Sequence, residues 1–387
     1  MTRSPDRAPA RGPAAERVTG VDLARAAAVV GMMAIHVLPG EEAPGAGGVL
    51  YALAHGRASG LFAVLAGVSL GLATRRAASP AQRRGARAGV VVRGLLVALV
   101  GLLLVDAGSR VAVILPYYGV AFAVVLPFLW WPARRLAVVA VGWLALAPLV
   151  SFAVRAAQDL QPRYEQPTLG WLGRPGDLLE ALTLTGYYPV VGWAGYLLLG
   201  LAVSRVDLRS PRAALGVLGA GAAAAAAAWA GSALLLGPGG GRAVLDGVAG
   251  PSAVDLARFY GTVPTDSRWW LAVVSPHSGT PFDLLHTGGT ALAVLGAACL
   301  LPAAVTRFLH PVAAVGAMPL TVYTAHVLAL AGTDDQSTGL LAAHVAGALV
   351  FATLWRRVVG RGPLELVVGR TAAAAAAAVA GRPAPVG

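Results

Sequence analysis

Lysine is missing from this chain, whose 30 basic residues are all arginine, and cysteine is nearly missing, with Cys299 alone inside an apolar run. A single cysteine excludes a disulfide framework within the chain and points to no redox role. Charge of either sign is scarce, at 12% of residues, and the alternating pattern of amphipathic strands is absent, which argues against a β-barrel. Arginine in place of lysine, with the heavy load of alanine and glycine, reflects a GC-rich bacterial genome more than any chemistry.

What is present instead is apolar: 57% of the 387 residues are hydrophobic, gathered into long runs separated by short joints of arginine, proline and glycine. A run of about 20 apolar residues spans a bilayer as a helix, because the helix satisfies its own backbone hydrogen bonds where no water can. Windows of that length fall near 18–38, 49–74, 89–105, 111–131, 136–154, 187–204, 213–236, 284–302, 312–332 and 340–358. The expected fold class is therefore all-α, a polytopic integral membrane bundle of about ten transmembrane helices. With ten spans both termini share a side. The arginines crowd into the joints on that side, among them Arg75, Arg76, Arg83, Arg84, Arg87, Arg134, Arg135, Arg205, Arg209 and Arg212, so the N- and C-termini are predicted to be cytoplasmic. The net charge of +12 and pI near 10.9 follow from these joints, and no nucleic-acid partner is expected.

Residues 1–16, rich in proline, alanine and arginine, read as a disordered cytoplasmic arm ahead of an uncleaved signal anchor. One transmembrane domain is expected over 17–370, followed by a low-complexity tail over 371–387. Two joints are long, near 155–186 and 237–283, and both fall on the outer face. The second holds Trp269 and Trp270, which read as an interfacial anchor, and the run Pro276-His277-Ser278-Gly279-Thr280-Pro281-Phe282-Asp283. Gly219 and Gly221 give the seventh window a small-residue surface for close helix packing.

Ionisable groups inside the apolar windows carry the functional signal, because each is costly there. Asp22, Arg25 and His36 fall within an arc of about 60° on one helix face and over about 21 Å of its length, forming a single stripe. Asp22 and Arg25, at i and i+3, can pair. The second window runs the other way, so His55 comes to nearly the depth of His36, and the two imidazoles can meet. Ser59 and Ser69 share the His55 face. An imidazole at such a place can take a proton, carry an acyl group or bind a metal. No His-x-x-x-His or Glu-x-x-His spacing occurs on any span, so no metal is predicted. Plainer roles remain open: a structural ion pair for Asp22 and Arg25, a solvated interfacial ring for His36 or His277, an interhelical hydrogen bond for His326.

The combination of Arg17, Asp22, Arg25, His36 and His55, followed by Leu61-Phe62-Ala63-Val64-Leu65-Ala66-Gly67-Val68-Ser69, resembles the opening of the heparan-alpha-glucosaminide N-acetyltransferase-like membrane proteins. A bacterial branch of that superfamily is resembled more closely, through Pro276 to Thr280 and a Gly-Pro-Leu-Glu motif at Gly362 to Glu365. The resemblance runs from about Arg17 to Arg370. It implies a polytopic helical acyltransferase moving an acyl group from cytoplasmic acyl-CoA, most simply acetyl-CoA, to an acceptor at the far face of the membrane. It also places the family's functional histidine at His55. Where the family has Asn at the end of the first span, this chain has His36, and the related acyltransferase-3 group uses a histidine of the first span.

The resulting expectation is an envelope acyltransferase of the bacterial cytoplasmic membrane. His55, assisted by His36, is the catalytic candidate. Asp22, Arg25, Arg17 and Arg57 are the donor-binding candidates, and His277, Ser278, Asp283 and His326 line the acceptor, an envelope carbohydrate or glycolipid. Self-association is left open. The rival readings are a proton-coupled transporter of a small molecule, in which the same intramembrane groups form a proton path, and a non-catalytic membrane protein.

Overall fold

The computed structural model describes residues 18–41 and 45–381, and among them every regular element is a helix. The arm expected over 1–16, the donor candidate Arg17 and the last residues of the tail lie outside the described residues. The first part of the chain folds into α1 (Thr19–Val37), α2 (Ala46–Ala54), α3 (Arg57–Thr74), α4 (Pro80–Asp106), α5 (Leu115–Val125) and α6 (Ala133–Ala157). The middle holds α7 (Pro175–Glu180), α8 (Val190–Val203), α9 (Pro211–Leu236), α10 (Gly241–Ala249) and α11 (Ala253–Leu256). The chain ends with α12 (Pro281–Leu300), α13 (Ala303–Phe308), α14 (His310–Gly316), α15 (Pro319–Ala329), α16 (Thr338–Val358) and α17 (Pro363–Val379).

Seven of these, α1, α3, α4, α6, α9, α12 and α16, are long and apolar enough to cross a membrane. The number reaches nine if two bent pairs each count as one span: residues Pro175–Thr185 with α8, bent by 61°, and α14 with α15, bent by 81°. The expected ten windows thus all meet helix, but not all as continuous spans. The ninth window breaks at Ala317 and Met318, where Pro319 cannot continue the preceding helix and begins the next one. The fourth is helical only over Leu115–Phe128.

Side-chain size decides how closely the helices approach. At the crossing of α3 and α8, a Cβ on Gly200 would stand 1.9 Å from the Val64 carbonyl oxygen, and one on Gly67 would stand 2.2 Å from that of Leu197. Only a pair of glycines lets these backbones touch. At α9 the small-residue surface works through Gly221, packed on the Gly289 carbonyl of α12, while Gly219 faces open space.

The long joint at 237–273 is an ordered cap. α10, α11 and a short 3-10 turn bury Leu245, Val254, Phe259 and Val263 against Phe152 of α6 and Leu236 of α9. Trp270 belongs to this core, 2% exposed, with its indole N–H donating to Asp266 at 2.8 Å, and so it is not the interfacial anchor expected of it. At the other end, the alanine run of the expected tail is helical as far as Val379, and α17 lies along α4 with the Ala376 carbonyl against Gly85.

Candidate active site

α1 and α3 run antiparallel: Gly31 of α1 abuts Ala54 and Ala58, and Arg25 of α1 reaches Ser69. This pairing gives the bundle two chemically distinct ends. At the first, Arg25 Nη1 donates to Asp22 Oδ1 at 2.7 Å and Nη2 donates to Ser69 Oγ at 2.9 Å. The Asp22 carboxylate is buried, and pairing with the guanidinium offsets the cost of removing both charges from water. Arg25, Ser69, Arg93 and Glu365 face a cavity of ≈ 270 Å³. Leu70, Ala73 and Arg93 also line a neighbouring groove of ≈ 520 Å³ that holds Arg76 and Gln82.

Glu365, the last residue of the Gly-Pro-Leu-Glu motif, has a specific partner. Its carboxylate accepts from the Leu320 and Thr321 N–H groups at 2.7 and 3.1 Å and from the Thr321 hydroxyl at 2.5 Å. It thereby satisfies the free amides that the break before Pro319 leaves at the start of α15. The motif is the cap that makes a broken helix tolerable inside the bundle.

At the opposite end, the histidines divide into two groups. His36 lies in the last turn of α1, with its ring stacked on His326 at 5.3 Å between centroids and Nδ1 3.1 Å from His326 Nε2. His326 Nδ1 stands 2.7 Å from Nδ1 of His344 on α16, so the buried His326 bridges two half-buried rings. Arg110 ties this cluster down by donating to the His36 carbonyl at 3.0 Å and to that of Asp335 at 2.7 Å.

His55 occupies the break between α2 and α3. Gly56 makes the break, with φ of 71°, a conformation that suits glycine, and it has no room for a Cβ because Pro276 packs 2.7 Å from where one would stand. That contact seats the Pro276–Asp283 loop on the break and brings the ring of His277 to 5.9 Å from that of His55. His55 Nδ1 is 3.1 Å from Glu41 Oε1. Glu41, Tyr51 and His55 border a cavity of ≈ 900 Å³, roofed by Arg242, Asp255, Arg258 and Tyr260 of the cap.

The loop holds His277 against a set of aromatic rings. Its backbone is left-handed, with φ of 58°, an uncommon state for a non-glycine residue. The Gly261 N–H holds it by donating to the His277 carbonyl at 2.7 Å. Its ring lies parallel to Trp193 at 6.3 Å and near Tyr188 at 5.8 Å. Burial, and then the neighbouring His55 imidazole, push the His277 pKa down to about 3, so the ring is neutral at ordinary pH. Asp283 is buried and accepts from the Gly279 N–H at 3.0 Å and from the Thr287 hydroxyl at 3.2 Å. The Ser278 hydroxyl, also buried, donates to Thr280 Oγ1 at 3.4 Å.

The structure therefore brings together Asp22 with Arg25, His55 with His277, and His36 with His326. It does not bring His36 to His55: no hydrogen bond or ring contact joins them, because each ring is taken by other partners. Arg57 stands at the first turn of α3, about 18 Å of helix from Ser69, and donates to the Ala52 carbonyl at 2.6 Å, well away from Arg25. Ser278 and Asp283 point inward to knit the loop and do not border the large cavity. Among the described residues no group of three or more His, Cys, Asp or Glu is arranged to hold a metal ion.

Three participants were not legible as such. Glu41 is an acid in a short joint with no motif around it, His344 is a lone histidine on an apolar helix, and Arg93 reads as one more arginine of the α4 flank. Their partners come from distant parts of the chain, and only the fold brings these together.

An imidazole whose Nδ1 is engaged by a carboxylate presents Nε2 to whatever occupies the adjoining cavity, and such a pair can remove a proton from an amine or hydroxyl. The family model described as "Heparan-alpha-glucosaminide N-acetyltransferase, catalytic" matches residues 17–236, which take in Asp22, Arg25, His36, His55 and Ser69. No curated protein and no solved structure matches the chain. With more than half its length matched, the chain belongs to the heparan-alpha-glucosaminide N-acetyltransferase catalytic family, a family of transmembrane acyltransferases.

Proposed function

We propose that the protein transfers an acyl group, most simply acetyl, from cytoplasmic acyl-CoA to a hydroxyl or amine of an envelope carbohydrate or glycolipid, across the bacterial cytoplasmic membrane. With the short apolar helix Leu115–Phe128 counted as a tenth crossing beside the nine, both termini and the Asp22 end of the bundle face the cytoplasm, and the His55 end faces outward. The observation that carries this reading is the His55–Glu41 pair on the border of the largest cavity described here.

The donor's phosphates lie at the Asp22 end, where Arg25 and Arg93 border one cavity and Arg76 the adjoining groove. Asp22 orients Arg25 for them. The pantetheine arm then runs along α3 toward His55. The acceptor sits in the ≈ 900 Å³ cavity beneath Arg242, Arg258 and Tyr260. His55 Nε2 takes the proton of the acceptor's O–H or N–H as that atom attacks the thioester carbonyl. The C–S bond breaks, and the imidazolium returns the proton to the departing thiolate. Glu41 holds the ring and stabilises its cationic form, as an orienting carboxylate does in acyl-transfer sites. His277, kept neutral, packs beside His55 without competing for the proton.

The test is purified full-length protein with radiolabelled acetyl-CoA and an envelope lipid and glycan extract. Label should pass to the extract with wild type and fail to pass with His55→Ala. If wild type transfers no label to protein or extract, while reconstituted vesicles accumulate a solute without acyl-CoA, the protein is a transporter and this reading is wrong.

A further inference from the structure

We propose that a small pocket at the cap end of α6 is an anion site, sized for one chloride-like ion, with Arg155 as its cation. Arg155 lies in the last turn of α6 and is 2% exposed. Among the described residues its guanidinium makes one hydrogen bond, from Nη1 to the Val263 carbonyl at 2.8 Å. Its Nε–H is buried without a partner, and among the described residues no carboxylate pairs with the guanidinium. Thr262, also buried, has a hydroxyl without a partner. Arg155 and Thr262 line the same pocket of ≈ 10 Å³, together with Ser151, Trp193, Gly261 and Gly279.

A guanidinium cannot shed its proton to escape a dry environment, as a lysine or histidine does, so a buried arginine requires a compensating charge. The carbonyls at the C-terminal end of α6 and that of Val263 supply part of it. The Nε–H and the Thr262 hydroxyl, both buried without a partner among the described residues, are donors such an ion would satisfy. A water molecule could accept from both donors but would leave the charge unmatched, whereas a monovalent anion answers charge and donors together. The pocket leaves ≈ 10 Å³ for the centre of a water-sized sphere, room for a single-atom ion but not for phosphate or an organic carboxylate.

The site has a structural consequence. Gly261 carries the N–H that holds the His277 carbonyl, and Trp193 carries the ring that lies against the His277 imidazole. An ion behind these two residues stiffens the platform on which His277 rests. This follows from packing alone and does not depend on what reaction, if any, His55 performs.

Thermal unfolding of the full-length protein in detergent tests the site, with sodium gluconate exchanged for sodium chloride or bromide at constant ionic strength. Wild type should show a saturable rise in Tm of a few degrees with either halide, since a ligand that binds only the folded state stabilises it. Thr262→Val and Arg155→Leu should be flat. Equal Tm in halide and gluconate for wild type, or a rise of the same size in the variants, overturns the proposal. Should Arg155→Leu fail to fold, wild type against Thr262→Val still decides. Crystals grown in bromide give the direct reading: an anomalous peak beside Arg155 Nε supports the site, and a water in that place overturns it.

Discussion

His36 and His55 stand at the same end of two antiparallel helices, and their surroundings give them opposite chemistry. His36 has His326 stacked on its face and hydrogen-bonded to Nδ1, and His326 in turn is bonded to His344, so the cluster's inner nitrogens are consumed in a chain that ties α1, α15 and α16 together. His55 has one nitrogen held by a carboxylate and borders an open cavity. Depth in the membrane and residue type do not separate the two. Each has Nδ1 claimed by a neighbour, and what separates them is that the neighbour is an imidazole for His36 and a carboxylate for His55, which alone of the two borders the large cavity. On the proposed function, His326, bonded at both ring nitrogens, is a strut that fixes His36, and His55, held at a single nitrogen beside a cavity, is the reagent.

The sharpest way to break this comparison is to remove each ring in turn. His55→Ala should lower acyl transfer by about 10²- to 10⁴-fold, the usual worth of a general base, with little change in Tm. His326→Leu should do the reverse. It strips the central partner from His36 and His344, at a cost of about 1–2 kcal/mol in stability, while transfer stays within a few-fold of wild type. Label transfer and thermal unfolding on the same preparations decide it. If His326→Leu abolishes transfer as fully as His55→Ala, the buried chain belongs to the chemistry and the distinction between strut and reagent is lost.

A smaller effect is expected at Glu41. Glu41→Gln keeps the size of the side chain and a hydrogen-bonding oxygen but removes the charge that stabilises a protonated His55 ring. Transfer should fall by about tenfold in kcat, with KM for the acceptor kept. A loss carried by KM with kcat unchanged would mean that Glu41 only shapes the cavity.

Much of the bundle is legible in the residues themselves. Hydropathy places helix in all ten windows, because the bilayer imposes one length scale on every span. The breaks are harder to read. Gly56 is one glycine in a glycine-rich helix pair, and its role depends on Pro276, far along the chain, filling the space beside it. The break before Pro319 is signalled by the proline, but the capping carboxylate is Glu365 on another helix. In the candidate site the i, i+3 pairing of Asp22 with Arg25 is local and was predictable. The expected meeting of His36 and His55 rested on depth alone, and depth carries no information on which neighbours face a ring. Arg57 and Arg25 are both donor-binding candidates by sequence, whereas Arg57 starts α3 and Arg25 of α1 meets Ser69 toward that helix's other end.

The smallest expected effect concerns the ring beside His55. His277 has a folded-state pKa near 3, against an ordinary value of 6.5, so above pH 6.5 it is neutral in both folded and unfolded chains and contributes no pH dependence. Below 6.5 the unfolded chain takes up a proton at this position that the folded protein refuses. Stability is therefore lost progressively as pH falls from about 6.5 toward about 3. Replacing the ring with a group that does not titrate removes that loss and leaves every other titrating group in place. Tm measured between about pH 7.5 and pH 4.5 should fall less steeply for His277→Gln than for wild type, with the two curves parallel above about pH 7. Curves that stay parallel down to the acid end would show that His277 is protonated as readily in the folded protein as outside it. The ring would then carry a charge beside His55, and the difference between a neutral neighbour and a competing base would have to be redrawn at this cluster.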